Sequence, residues 1–111
     1  MAWFDRFFWF SSEEHEYRLA REVAVQGRRQ VVERIVPRVH TLSRAQARGY
    51  IRAKSTPILM PMVERAIHRD DRLTIEALNR VASLARDEMV HLVLDELARA
   101  ALRDRYRRAA A

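Results

Sequence analysis

From Leu73 to Arg108 the chain contains neither glycine nor proline. A helix over that stretch spans about 54 Å at ~1.5 Å per residue, against roughly 30 Å for the diameter of a small domain. Ile75, Leu78, Val81, Ala82, Ala85, Met89, Leu92, Val93, Leu97 and Ala100 make its main apolar face. Leu73, Ala77, Leu84, Ala98 and Leu102 form a narrower stripe on the opposite side. A helix wet on one side needs only one stripe. The pattern therefore predicts an elongated helical bundle or hairpin with one long C-terminal helix, completed by a second copy of the chain.

The rest of the sequence reads the same way. The 111 residues hold two glycines and three prolines, so turns are few and elements long. Ala, Leu, Arg and Glu dominate, and no segment alternates apolar and polar residues with a period of two, which makes the class all-α. Ser11-Ser12-Glu13-Glu14 has the form of a helix start, with Glu14 three residues after Ser11 as in a capping box. Pro37 predicts a break or sharp kink, Ser55-Thr56-Pro57 a stop and restart, and Asp70-Asp71 a turn. The expected helices cover about residues 12–36, 38–54, 61–69 and 73–108 of one helical domain, 11–111, behind a short segment at 1–10.

Composition excludes several classes. Without cysteine there is no disulfide framework, thiolate metal site or thiol nucleophile, which fits a cytoplasmic setting. Asp5 and Arg6 interrupt the first apolar run, so it does not read as a signal peptide. The longest uncharged stretch, Ser55 to Val63, is far short of the ~20 apolar residues of a spanning helix. Isolated Gly27 and Gly49 build no phosphate-cradling loop, and the serines sit at caps or in helices without a nucleophile elbow. No enzyme and no cofactor is expected.

Three constellations remain. Six of the nine aromatic residues, Trp3, Phe4, Phe7, Phe8, Trp9 and Phe10, fall in the first ten positions. Burying such side chains is worth ~1.5–3 kcal/mol each, so they plug the end of the bundle or dock onto a partner protein or membrane surface. Second, the net charge of +6 is unevenly placed: residues 28–54 carry seven arginines and Lys54 against Glu33 alone. Arg34, Arg38, Arg44, Arg48 and Arg52 share one arc of a helical wheel, a basic stripe ~27 Å long on a continuous helix. Such a stripe suits phosphates or anionic lipid. The plainer reading is a solvated face partly neutralised by acids of a neighbouring helix such as Glu64, Asp87 or Asp95, since charge runs usually solvate a helix face. The excess of twenty arginines over one lysine, with so much alanine, also matches a GC-rich bacterial-like codon bias. Third, Glu88-Met89-Val90-His91 has the Glu-x-x-His spacing of di-iron carboxylate bundles. One copy per chain requires a dimer, with Glu14 or Glu33 as partner ligands; the plain alternative is a surface ion pair.

The leading expectation is a non-enzymatic helical adaptor or assembly subunit. It self-associates along its C-terminal helix and docks through its aromatic N-terminus onto a protein or a membrane surface. The alternatives are a nucleic-acid-binding protein using the 28–54 stripe, and a dimeric di-iron bundle using Glu88 and His91.

Overall fold

A computed structural model describes residues 2–70 and 73–111, with side chains described from Glu13 onward. Three helices follow in order: α1 (Ala2–Val39), α2 (Arg44–Arg69) and α3 (Ala77–Ala110). Each packs against both others, so the fold is an all-helical three-helix bundle measuring 66 × 27 × 23 Å. Among the described residues no helix is long and apolar enough to cross a membrane.

The core lies along three rows of residues spaced mostly by four. They are Ala20, Ala24, Gly27, Val31, Ile35 and Val39 in α1, Ala47, Ile51, Ser55, Leu59, Val63 and Ile67 in α2, and Ala77, Val81, Ala85, Met89 and Val93 in α3. A step of four exceeds the ~3.6 residues of a helical turn, so each row winds around its helix by ~40° per step, opposite in sense to a heptad seam. Many of these residues are small, which lets the helices approach closely. Gly27 shows how closely: a Cβ there would stand 2.9 Å from Cδ2 of Leu59 and 3.5 Å from Sδ of Met62. Gly49 faces open space, with nothing within 4 Å of the same position.

The first turn falls at 40–43, not at Pro37. Pro37 sits in the last turn of α1, where its missing N–H weakens a helix that ends two residues later. The N–H groups of Thr41 and Leu42 close onto the carbonyls of Arg38 (3.1 Å) and Val39 (3.2 Å). Ser43 then starts α2: its Oγ accepts from the Gln46 N–H at 3.2 Å, while Gln46 Oε1 accepts from the Ser43 N–H at 3.0 Å. This reciprocal box satisfies two N–H groups that a helix start otherwise leaves unpaired.

The restart expected at Ser55-Thr56-Pro57 does not occur either, and the separate helix at 61–69 is the second half of α2. Pro57 and Pro61 are both exposed, as is Ala53, so the carbonyls stranded by the prolines lie on the solvent side. Nearby hydroxyls hold the chain: Ser55 Oγ and Thr56 Oγ1 both donate to the Arg52 carbonyl, at 3.1 and 2.9 Å. The buried row on the opposite face runs through without interruption. Packing on both sides of each proline offsets a cost of roughly 3 kcal/mol apiece.

At the other end of the chain's pattern, Ser11 and Ser12 lie inside α1 rather than capping it. α3 begins at Ala77, four residues later than expected, because Leu73 to Glu76 form turns, with Leu73 N–H on the Asp70 carbonyl (3.1 Å) and Ala77 N–H on that of Thr74 (3.0 Å). The two stripes of α3 have an intrachain explanation over most of their length. Leu73 and Ala77 are buried and Leu84 half-buried, because α3 has two neighbours to cover two faces. A second copy is not needed there; only Ala98 and Leu102 of the narrow stripe stay exposed. Ile75, assigned by the sequence to the main face, is 77% exposed.

Candidate nucleic-acid interface

The ends of the bundle differ chemically. At the end where α2 leads into α3, two ion pairs join separate elements, while Arg65 and Arg69 have no carboxylate within 4.0 Å among the described residues. Glu16, 5% exposed, receives Nη2 of Arg80 at 2.9 Å and its Nε at 3.3 Å on both oxygens. The hydrogen bond first, and the charge of Glu16 second, push the Arg80 guanidinium pKa above its ordinary value. His15 contacts the Asp70 carboxylate, joining α1 to the segment after α2. Both pairs act across elements distant in sequence and fix how α1 meets the α2–α3 corner.

At the opposite end arginines stand without partners. The turn at 40–43 folds the expected continuous stripe into two arms of a hairpin, with Arg34 and Arg38 on α1 and Arg44, Arg48 and Arg52 on α2. The ~27 Å linear stripe is therefore absent, since its premise of one unbroken helix fails at residue 40. All five remain exposed. Arg52 is drawn away to Asp87 of α3, one of the acids expected to neutralise the stripe. Arg34, Arg38, Arg44 and Arg48 have no carboxylate within 4.0 Å among the described residues, whereas Arg28 reaches Glu96 (3.9 Å) and Arg29 reaches Glu33 (3.5 Å).

The structure adds arginines that the stripe did not include. Val39, Leu42 and Arg44 share a shallow groove of about 320 Å³ with Leu94, Leu97 and Ala98, so Ala98 is level with the α1–α2 turn. The remaining twelve residues of α3, Arg99 to Ala110, run past it for about 18 Å. All but Ala100 are exposed. They carry Arg99, Arg103, Arg105, Arg107 and Arg108 against Asp104 alone. Among the described residues only Arg99 of these is paired, to Asp95 at 3.1 Å. Eight guanidinium groups without a carboxylate within 4.0 Å among the described residues thus lie toward one end, on three separate elements. Residues 55–98 carry five arginines and eight acids, so a sum over the whole C-terminal half hides this arm.

The other expected sites fare differently. The side chains of Trp3, Phe4, Phe7, Phe8, Trp9 and Phe10 lie outside the described residues. Glu88 is half-buried and His91 exposed on α3. Among the described residues no three His, Asp or Glu side chains converge on a common point as a metal would require. Glu14 and Glu33, the partner ligands that reading needs, face Arg18 and Arg29 of their own helix instead. Comparison with protein-family models, curated proteins and solved structures finds no match to this chain.

Proposed function

We propose that this chain is a non-enzymatic binding module that holds nucleic acid through phosphates at the arginine-bearing end of the bundle. One observation carries the reading: Arg34, Arg38, Arg44, Arg48, Arg103, Arg105, Arg107 and Arg108, on α1, α2 and α3, all lie toward one end of the bundle, exposed and with no carboxylate within 4.0 Å among the described residues. On the body of the bundle Arg80, Arg52 and Arg28 pair across helices, while Arg21, Arg65, Arg69 and Arg86 have no carboxylate within 4.0 Å among the described residues. Crowding like charges without counter-ions costs free energy, and phosphates spaced along a polymer offset it while releasing condensed cations. Affinity for a DNA duplex, followed by fluorescence anisotropy as salt rises, tests this. Each phosphate contact contributes a slope of about −0.9 in log K against log salt, so a slope of roughly −4 to −7 is expected. Binding that ignores salt, or no binding at low salt, refutes the reading.

A second reading rests on the concentration of aromatics at Trp3 to Phe10. In it the chain is a self-associating adaptor whose N-terminal segment docks on a partner protein or a membrane surface. Light scattering on the full chain and on one beginning at Ser11 separates the cases. Unchanged helicity and mass leave the aromatics free to dock, while unfolding or loss of mass places them in the core or the seam.

A further inference from the structure

We infer that Arg99 to Arg108 of α3 form an arm that lies in the major groove of B-form DNA. The inference rests on the nucleic-acid reading and narrows its ligand to a duplex of one form. On a helical wheel of about 100° per residue, Leu102 and Tyr106 lie side by side as a ridge. Arg99, Arg103 and Arg107 make the row on one flank of that ridge, and Arg105 and Arg108 stand on the other. Leu102 is 53% and Tyr106 76% exposed, so the ridge is uncovered by its own chain.

Positive charge on both flanks of an uncovered ridge is what a groove with two phosphate walls demands. A helix with its side chains is about 10–12 Å across and the major groove of B-DNA about 12 Å wide. The flanking arginines then reach the two backbones, and the ridge faces the base edges, where thymine methyl groups offer apolar contact. Ala100, Ala101, Ala109 and Ala110 keep the arm slim. The arm extends about 18 Å past the bundle, roughly half a turn of duplex, and leaves Arg34, Arg38, Arg44 and Arg48 to meet the adjoining backbone. A bilayer surface fits less well, because only two large apolar side chains would enter it. An RNA duplex fits less well too, since its major groove is too deep and narrow for a helix.

The test uses the full chain and a variant carrying Arg103→Gln, Arg105→Gln, Arg107→Gln and Arg108→Gln. Glutamine keeps helix propensity, and the arm lies outside the core, so far-ultraviolet circular dichroism of the two proteins should match. Each is titrated with a DNA duplex of about 20 base pairs, an RNA duplex of the same sequence, and vesicles containing phosphatidylserine. The parent should bind DNA with a salt slope steeper by about 3.6 than the variant's, and bind the RNA duplex at least about tenfold more weakly. Equal slopes for parent and variant overturn the arm while leaving the hairpin arginines as the binding surface. Equal affinity for the RNA duplex, or tighter binding to vesicles than to DNA, overturns groove insertion. Failure of the parent to bind any nucleic acid removes the arm and the functional reading together.

Discussion

α3 is one unbroken helix with two unlike halves. From Ala77 to Val93 a row at every fourth residue is buried against α1 and α2. From Arg99 onward almost every residue is exposed and the arginines outnumber the acids. Both halves carry apolar residues at helical spacing, yet only one has neighbours. Spacing shows that a helix presents a face; the lengths of the other helices decide whether anything covers it. A stretch of some twelve almost wholly exposed residues is marginal as a helix in water, so a ligand that bound it would add to its order.

The largest effect that sharpens the contrast comes from truncating one apolar side chain in each half. Met89→Ala should cost about 2–5 kcal/mol in chemical denaturation, as removal of a fully buried side chain does. Leu102→Ala should fall within ~0.5 kcal/mol. A cost above ~1 kcal/mol for Leu102→Ala breaks the contrast, because it places the arm inside a packed assembly.

Next is the anchor of the packed half. Removing Arg80 leaves the buried Glu16 carboxylate without its counter-charge, whereas removing Glu16 leaves a guanidinium that water can solvate. Arg80→Met should therefore destabilise more than Glu16→Gln, read from the denaturation midpoints of the two variants. The reverse order contradicts the burial assigned to Glu16.

Smaller effects come from the two glycines, which repeat the contrast on α1 and α2. Gly27→Ala gains helix propensity but forces a methyl group against Leu59, for a net loss of about 1 kcal/mol. Gly49→Ala meets nothing and should gain about 0.5–1 kcal/mol. Thermal melts of both decide the matter, and equal signs undo the packing described around Leu59. The smallest effect belongs to ending the chain at Ala98, which should leave the melting temperature of the bundle within a few degrees of the parent's.

The all-α class and the long C-terminal helix were legible in the sequence, because composition and periodicity act through local backbone preference. The interruptions were not. Pro57 and Pro61 read as breakers, yet both sit on the solvent face of α2, where lost helical bonds cost least and the packed row behind them runs on. The real turn, His40-Thr41-Leu42-Ser43, has no glycine or proline; its signal was the capping pair Ser43 and Gln46. Arg34, Arg38, Arg44 and Arg48 are legible in the sequence as a basic, exposed set, but their placement on either side of a turn depends on where α1 ends. Arg52 could not be separated from them, since its partner Asp87 lies on another helix. The arm is hidden in the sequence because its arginines share one uninterrupted helix with the acids of the packed half.

Hydrogen exchange read along α3, without and with duplex DNA, tests the account most directly. Amides from Val81 to Val93 should be strongly protected throughout, while those from Arg99 to Ala110 exchange rapidly alone and slow when DNA is added. Protection of the arm in the free protein, or an arm that exchanges equally fast with DNA bound, contradicts it.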